Sequence, residues 1–348
     1  MKTGITEQTS VLICDKELQN QTIVYGVLNW GLGHATRSAV LIRKLLQQGN
    51  IVYIVSEGDA SIFLKKQFPF SEHFLGPLQQ IHYPKSKTGL KRSLFAQGPR
   101  FLRQIKREKQ FLKELCTSIR PDYIISDGRY GFYHEKITSI FTGHQFNLQV
   151  PLFEKPINFF HQKQLKKFDG IWIMDRKSSP ISGVLSQVRN NNIPTRHIGI
   201  QTALTSDTEQ VKEIDCLILL SGIEEQRQRL EKALLERNWP HKRRVVLVRG
   251  VLDVKENCKH PFLEIQNYAT PKQLEKLLSQ SRAILCRSGY STLMDLDSFA
   301  IKKLLIPTPG QTEQEYLAQY HARNFPGTLV LQERDLKSFD FRKWLCSN

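Results

Sequence analysis

The chain has 348 residues, of which 40% are hydrophobic, and its 50 Lys and Arg residues exceed its 33 Asp and Glu residues by 17. This length allows two domains, and the basic excess favours anionic partners such as nucleotide diphosphates, acidic lipids or nucleic acid. The six cysteines lack CxxC or paired spacing, which argues against a zinc site or a disulfide framework. No run reaches the roughly 18 apolar residues of a transmembrane helix, and no signal-peptide pattern is present, so we expect a cytoplasmic protein.

The first predicted strand, Ile23 to Leu28, ends in a glycine-containing loop. The loop includes Gly31, Gly33 and His34, and apolar residues at helical spacing follow from Ala39 to Leu46. A glycine turn between a strand and a helix gathers unpaired N–H groups at the positive end of the helix dipole, which suits an anion. An imidazole at this position can also accept a proton from a hydroxyl near neutral pH. The alternative is a histidine that only caps or packs the helix start.

A basic segment from Lys85 to Lys113 contains ten Lys and Arg residues and a single acid, Glu108. Its apolar residues fall near helical spacing from Phe101 to Leu115, which predicts a basic amphipathic helix. Such a helix can lie on the anionic cytoplasmic face of a membrane, or it can pack in the core with its basic side in water. The aromatic residues are not arranged to stack bases, and no nucleic-acid-binding motif is present, so we do not expect nucleic acid as a partner.

Two further predicted strands, Tyr123 to Ser126 and Ile137 to Phe141, end in polar residues. Asp127 follows the first strand, and His144 follows the second. Because the carboxyl ends of parallel strands share one edge of a sheet, we expect both residues near His34, as secondary catalytic residues on the acceptor side. Loop capping is the alternative role for each.

Residues 189–212 are rich in Asn, Thr, Pro and Gly without a long periodic run, and they predict an interdomain linker. We therefore predict an N-terminal domain over residues 1–200, a second domain over residues 201–333, and a terminal helix over residues 334–348.

The second predicted domain repeats the pattern of strand, glycine turn and helix. A strand from Cys216 to Leu220 leads to Ser221-Gly222, and a strand from Ala283 to Cys286 leads to Arg287-Ser288-Gly289. A third strand stops at Pro307 and precedes a predicted helix start. Polar groups thus converge at neighbouring strand ends, where an open α/β sheet binds its ligand. The alternative is that Gly289 only turns the chain and that Asp295 lies on a solvated helix face.

The stretch from Cys286 to Gln314 resembles the donor-nucleotide region of glycosyltransferase family 28. The resemblance lies in Cys-Arg-Ser-Gly at 286–289, Thr292, an acid at 295, Pro307 and Gln314. This family includes the cell-wall N-acetylglucosaminyltransferase that acts on lipid-linked muramyl-pentapeptide and the plant galactolipid synthases. The loop from Gly31 to His34 is similar to the family's Gly-Gly-His loop, with Leu32 in place of the middle glycine.

The resemblance implies an α/β protein with two Rossmann-like domains facing a cleft, the GT-B fold, and a terminal helix that crosses back to the first domain. It also implies that the second domain holds a nucleotide-sugar donor, most simply a UDP-sugar. Asp295, in place of the family's glutamate, would hold the ribose hydroxyls. The other implied donor-binding residues are Gly31, Gly33, Ser221, Gly222, Thr270, Ser288, Gly289, Thr292, Gln314 and Glu315. The family's arginine after the linker turn is missing from residues 199–202, and we expect Arg249 or Arg287 to replace it.

The resemblance predicts a hexosyltransferase that moves a hexose-type sugar to a small-molecule, glycan or lipid acceptor in one inverting displacement. His34 would deprotonate the acceptor, and helix ends would stabilise the leaving UDP, so no metal or other cofactor is expected. Asp295-Leu296-Asp297 looks like a DxD metal motif, but residues two apart on a helix project about 200° apart and cannot share an ion. The alternatives are a sugar-nucleotide epimerase of the same fold and a non-catalytic basic protein that binds anionic lipid or nucleic acid.

Overall fold

The computed structural model describes residues 18–77, 90–149, 154–188, 192–207, 210–251 and 259–346, without the side chains of residues 90–97. The chain divides into two compact units between Gln201 and Thr202. Each unit contains one parallel β-sheet with helices, so the predicted α/β class is confirmed. Residues 85–89 of the predicted basic helix lie outside the described residues, as do parts of the predicted linker.

The first unit is built on a seven-stranded sheet in the order β3-β2-β1-β4-β5-β6-β7. Its strands are β1 (Thr22–Val27), β2 (Ile51–Ser56), β3 (His73–Leu75), β4 (Tyr123–Asp127), β5 (Thr138–Gly143), β6 (Gly170–Ile173) and β7 (Thr195–His197). Its helices are α1 (Leu32–Gln47), α2 (Gly58–Gln67), α3 (Leu90–Ile119) and α4 (Glu154–Leu165), with a short 3₁₀ helix at Gly183–Ser186. Because β7 belongs to the first sheet, the predicted linker over residues 189–212 begins too early.

Both faces of the first sheet are covered, because the side chains of β1 alternate between two cores. Tyr25 and Val27 pack in one cluster with Ala39 and Ile42 of α1. Val24 points to the other cluster, which contains Leu112, Leu115 and Cys116 of α3. Covered strands of this kind read as nearly continuous apolar runs, which is why β1 was predictable from its sequence.

The basic helix α3 packs its apolar side in the core. Ile105 and Leu112 are buried, whereas Arg103, Lys106 and Arg107 are exposed. This matches the interpretation of a core-packed helix with a solvated basic face for the residues whose side chains are described. None of the helices that the structure describes combines the length and the apolar character that a membrane span needs.

The second unit is built on a six-stranded sheet in the order β10-β9-β8-β11-β12-β13. Its strands are β8 (Ile214–Leu219), β9 (Val245–Val248), β10 (Glu264–Gln266), β11 (Ser281–Cys286), β12 (Lys302–Leu305) and β13 (Thr328–Val330). Its helices are α5 (Glu224–Leu235), α6 (Pro271–Ser279), α7 (Tyr290–Asp295), α8 (Thr312–Asn324) and α9 (Phe341–Cys346), with a 3₁₀ helix at Glu333–Ser338.

The helix that follows β11 is short and ends at Asp295. Its last turn tightens, because the N–H of Leu296 bonds to Thr292 whereas the N–H of Asp297 bonds to Met294. Asp297 therefore lies in a turn beyond α7. Asp295 and Asp297 therefore do not both lie on the helix. The argument against a shared metal ion assumed that they project from one helix in different directions, and this premise is wrong.

The terminal segment differs from the predicted helix over residues 334–348, which was expected to cross back to the first domain. It forms a 3₁₀ helix and then α9, and Phe341 and Trp344 are buried in the core of the second unit. The rings of Trp239 and Phe341 lie 4.6 Å apart between centroids. Burial of these two aromatic side chains in the second core accounts for the position of the segment.

Candidate active site

The two sheets share one topological feature, a strand whose two neighbours lead the chain in opposite directions. In the first sheet β1 lies between β2 and β4, and in the second β8 lies between β9 and β11. A parallel sheet with this reversal binds its ligand outside the carboxyl ends of the strands at the reversal point. The sequence-predicted residues are concentrated at these two points.

The loop after β1 begins α1 without a side-chain cap. Gly31 is the N-cap residue with φ of 71°, a conformation that favours glycine, and no atom lies within 4 Å of where a side chain would start. Leu32, which replaces the family's middle glycine, is partly buried against the first core. Its apolar side chain therefore anchors the helix start, a role that the comparison of motifs did not predict.

His34 and Asp127 meet at the reversal point of the first sheet. Nδ1 of His34 lies 3.1 Å from Oδ2 of Asp127, which is the last residue of β4. Asp127 is fully buried, whereas 16% of the His34 side chain is exposed. The hydroxyl of Ser38 also donates to Oδ2 of Asp127, at 2.8 Å. The acid is thus held rigidly behind a histidine that solvent can reach.

Arg37 is the centre of this cluster, and sequence reasoning missed it. Its NH2 group donates to Oδ1 of Asp127 at 2.6 Å and lies 2.7 Å from Nδ1 of His34. Its NH1 group lies 2.9 Å from Nδ1 of His144. The three residues predicted as catalytic are therefore brought together around one buried guanidinium. The only signal in the sequence was the spacing of three residues from His34, which places both on one helix face.

Burial and nearby charges shift the pKa values of Asp127 and His34. Burial alone would raise the pKa of Asp127, but Arg37 and His34 hold it well below its usual range, so the carboxylate stays ionised. Burial and the nearby Arg37 cation lower the pKa of His34 against the opposing effect of Asp127. His34 is therefore neutral near pH 7, which is the form that can accept a proton.

At the reversal point of the second sheet, hydrogen bonds join the ends of β11 and β12 to the start of α8. The hydroxyl of Ser288 donates to the backbone oxygen of Gln314 at 2.8 Å. Oε1 of Gln314 accepts from the N–H of Thr308 at 2.9 Å, and Nε2 donates to Oε1 of Gln311 at 2.6 Å. A side chain added at Gly289 would start 3.9 Å from Nε2 of Gln314. These neutral groups enclose a glycine turn.

Asp295 and Glu315 have hydrogen-bond partners in this unit. Oδ1 of Asp295 accepts from the hydroxyl of Thr202 at 2.6 Å, a contact that the sequence did not suggest. Burial raises the pKa of Asp295 to about 6, although the bond from Thr202 acts to lower it. Oε1 of Glu315 accepts from the N–H of Gly310 at 3.1 Å, which fastens the turn before α8.

Comparison with known proteins identifies the fold. Residues 21–148, which include His34, Asp127 and His144, match the family model for glycosyl transferase family 1. CalG4, the calicheamicin glycosyltransferase, aligns with a TM-score of 0.61 at 13% identity, over 95% of this chain and 91% of that chain. MurG of Acinetobacter baumannii aligns at 0.55 and 14%, over 93% and 88%. The spinosyn rhamnosyltransferase SpnG aligns at 0.61 and 12%, over 93% and 90%. The chain has the GT-B fold. No curated protein sequence matches it.

The predicted GT-B fold and the resemblance to glycosyltransferases of this fold are thereby confirmed, although the family model that matches is family 1 and not the predicted family 28. Of the two units of this fold, the first contains the cluster of side chains around His34, and the second contains the glycine turns after β8 and β11. Gly222, after β8, has φ of 103° and no atom within 4 Å of where a side chain would start. Ser221 beside it is partly exposed, whereas Thr292 is buried on α7.

The two arginines expected to replace the arginine implied by the family 28 resemblance bind partners inside the second unit. Arg287 is buried, donates to the backbone oxygens of Ile306 and Pro307, and lies 2.8 Å from Oε2 of Glu333. Nε of Arg249 donates to Glu231 at 2.6 Å. Both guanidinium groups bind partners within the second unit. Their contacts therefore do not support the expectation that either arginine replaces the missing one.

Thr270 caps α6, where its side-chain oxygen accepts from the N–H of Gln273 and that residue bonds back in a capping box. A capping role thus explains its presence before the helix.

Among the residues that the structure describes, no group of three or more His, Cys, Asp or Glu side chains is arranged to hold a metal ion.

Proposed function

We propose that the chain transfers a hexose-type sugar from a UDP-sugar to a hydroxyl acceptor, with inversion and without a metal ion. The observation that carries the proposal is the contact between His34 and buried Asp127 at the reversal point of the first sheet. A neutral imidazole backed by an ionised carboxylate is an arrangement for general-base catalysis.

In the proposed reaction, Nε2 of His34 takes the proton of the acceptor hydroxyl while the acceptor oxygen attacks the anomeric carbon of the donor. The bond from that carbon to the diphosphate oxygen breaks, and its electron pair leaves with UDP. Asp127 stabilises the imidazolium that forms, because its carboxylate is 3.1 Å from Nδ1. One displacement inverts the anomeric centre, and the product is a glycoside plus UDP.

The second unit would hold the nucleotide. In this proposal the backbone N–H groups of the turns at Gly222 and at Ser288-Gly289 bind the diphosphate and stabilise its growing charge without a cation. Asp295 would accept hydrogen bonds from the ribose hydroxyls in place of the bond from the Thr202 hydroxyl. Arg249 and Arg287 are left out of this proposal because carboxylates and backbone oxygens of the second unit already bind them.

The test combines nucleotide selectivity with turnover. UDP should raise the melting temperature more than GDP, ADP or TDP do, equally with magnesium and with EDTA, because stabilisation follows affinity by mass action. UDP-sugar plus a panel of hydroxyl acceptors should then release UDP in EDTA, and NMR of the product should show the inverted anomer. Preference for another nucleotide, dependence on magnesium or a retained anomer would each contradict the corresponding part of the proposal.

We also propose a peripheral contact between α3 and an anionic membrane. Residues 1–201 contain 28 Lys and Arg against 14 Asp and Glu, so the basic excess lies mainly in the first unit. Leu102 is 50% exposed and is followed in α3 by the exposed Arg103, and Phe159 of α4 is 73% exposed. Exposed apolar side chains beside basic ones suit the interface of an anionic bilayer. Vesicles with phosphatidylglycerol should bind the chain and neutral vesicles should not; equal binding would refute the contact.

The epimerase alternative requires carboxylates free to act on the donor sugar. Glu315 is the carboxylate that kept this alternative open, and its Oε1 is bonded to the N–H of Gly310. The geometry therefore favours transfer over epimerisation. A UDP-sugar incubated without acceptor should stay unchanged at the sugar carbons.

A further inference from the structure

Arg287 contacts three other segments of the second unit through one buried guanidinium. Its NH1 group donates to the backbone oxygens of Ile306 and Pro307, at 3.3 Å each. Its NH2 group donates to the backbone oxygen of Gln226 at 3.1 Å and lies 2.8 Å from Oε2 of Glu333. Because three of these four partners are backbone oxygens, the contacts act directly on the path of the chain.

The three backbone partners lie next to the ends of neighbouring strands. Gln226 is the third residue of α5 and follows Gly222 by four positions. Pro307 lies two residues beyond the end of β12, and Arg287 itself is the first residue after β11 and directly precedes Ser288-Gly289. Because β8, β11 and β12 are adjacent parallel strands, their carboxyl ends share one edge of the sheet. The guanidinium therefore joins the chain segments that follow all three strands at that edge.

Glu333 balances the charge of the buried guanidinium. It is the first residue of the 3₁₀ helix before α9, and 10% of its side chain is exposed. Its Oε1 atom also accepts from Nε of Arg229 on α5, at 2.5 Å. A buried cation needs such a partner, and a planar guanidinium has donors in fixed directions, unlike the compact ammonium group of lysine. Arginine is therefore the residue type that suits a contact with several segments at once.

We infer that Arg287 is a positioning residue that fixes the spacing between the turns at Gly222 and at Ser288-Gly289. The ligand that depends on this spacing rests on the proposed function, in which both turns bind the diphosphate of the donor. A diphosphate bound by two turns is sensitive to the distance between them, since a donor displaced by about 1 Å no longer reaches hydrogen-bond distance. A nucleoside without phosphates makes no contact with the turns in this proposal. Arg287 therefore affects the affinity for UDP and not the affinity for uridine.

The test compares the affinities for UDP and for uridine by titration calorimetry in Arg287→Met. The methionine side chain has no donors, so the three backbone oxygens lose their shared partner. UDP affinity should fall about tenfold or more, because the loss of one hydrogen bond to a charged group has an effect of this size. Uridine affinity should stay within about twofold of the wild type. Equal losses for both ligands, or the wild-type UDP affinity in the folded variant, would overturn the inference.

Ile214→Ala is the matched control for a loss of stability. Ile214 is fully buried at the start of β8, which is the end of the strand away from the turns. Its truncation should destabilise the second unit and leave both affinities at their wild-type values. Arg287→Lys keeps the positive charge beside Glu333 at less risk to folding, and it should show a smaller loss that is again selective for UDP. If Ile214→Ala lost as much UDP affinity as Arg287→Met, the effect would be one of stability and the inference would be wrong.

Hydrogen exchange without any ligand separates this inference from the proposed function. Amides in residues 221–227, 288–291 and 306–311 should all exchange faster in Arg287→Met than in Ile214→Ala. This pattern in a protein whose wild type binds no UDP would refute the proposed function and support the inference. Equal exchange in the two folded variants over all three segments would contradict the inference, even if the wild type binds UDP.

Discussion

The reversal points of the two sheets have the same strand order and opposite chemistry. In the first unit, β1 and β4 end in a buried group of ionisable side chains, with Asp127, Arg37 and His34 in contact. In the second, β8 and β11 end in glycine and serine turns, where Ser288 and Gln314 form neutral hydrogen bonds. One scaffold therefore carries ionisable side chains in contact at the reversal point of one half and neutral hydrogen-bonding groups at that of the other.

The difference shows that fold does not decide chemistry, which depends on a few side chains at the strand ends. The overall charges follow the same division. Residues 1–201 contain 28 basic and 14 acidic residues, whereas residues 202–348 contain 22 and 19. We expect substitutions in the first unit to act mainly through interactions between charges and those in the second unit mainly through hydrogen-bond geometry. The following experiments compare the two units.

The largest effect should come from His34→Ala. A general base contributes about 10²- to 10⁴-fold to rate, so transfer should fall by that factor while UDP affinity stays within about twofold. Steady-state kinetics and UDP titration calorimetry measure the two quantities. His241→Ala, at an exposed histidine of the second unit, is the matched control and should change neither. Parallel loss of turnover and UDP affinity would assign His34 to binding or folding.

The next largest effect should be on stability in Asp127→Asn. Breaking a buried ion pair costs on the order of 3–5 kcal/mol because the remaining charge of Arg37 is left uncompensated. Urea unfolding measures this cost. The double variant with Arg37→Met should lose less than the sum of the two single losses, since it removes both charges. Additive losses would show that the pair is not coupled.

A smaller effect is expected for Asp295→Ala in the second unit. A hydrogen bond to a charged group is worth about 1.5–3 kcal/mol, so UDP affinity should fall about 10- to 150-fold if the carboxylate holds the ribose. Calorimetry with UDP measures the change. Asp297→Ala, in the turn beyond α7, is the neighbouring control and should bind UDP like the wild type. An unchanged Kd in Asp295→Ala would discredit the ribose role.

The pH dependence of nucleoside binding tests the same carboxylate. Because burial raises the pKa of Asp295 to about 6, its ionised, acceptor-only form is lost as the pH falls through that value. Uridine affinity should therefore fall below about pH 6, by at most about tenfold per pH unit. Uridine is used because it has no phosphate that titrates in this range. Asp295→Asn should give a flat profile, and a flat wild-type profile would contradict the prediction.

The smallest effect should come from Ser288→Ala. It removes one neutral hydrogen bond to the backbone of Gln314, which is worth about 1 kcal/mol. Urea unfolding should show a loss well below that of Asp127→Asn. A larger loss at Ser288 than at Asp127 would reverse the proposed contrast between the two units.

Local sequence patterns predicted the parts of the fold that depend on local physics. Strands with apolar runs and glycine turns, such as β1 with Gly31, were predictable because burial and backbone conformation restrict the residue types within a few positions. A contact between residues distant in the chain produces no such local pattern. His34 and Asp127 are 93 residues apart, and only the expectation that parallel strand ends share an edge brought them together.

The missed and misplaced residues share a physical cause. Arginines are rarely buried without partners, so a pattern suggests a solvent-facing or ligand-binding role, whereas Arg37 and Arg287 are buried. The partners that allow their burial, Asp127 and Glu333, lie on other elements. The core that receives Phe341 and Trp344 was not predictable for a related reason, since an amphipathic pattern does not specify which core its apolar side enters.

The position of α9 has a practical consequence for dissecting the protein. Since Phe341 and Trp344 complete the core of the second unit, a fragment from Thr202 to Cys346 retains its own hydrophobic interior. Such a fragment is suited to separate expression, isotope labelling and nucleotide screening. An affinity tag belongs at its start, because a truncation before Phe341 would open the interior to water.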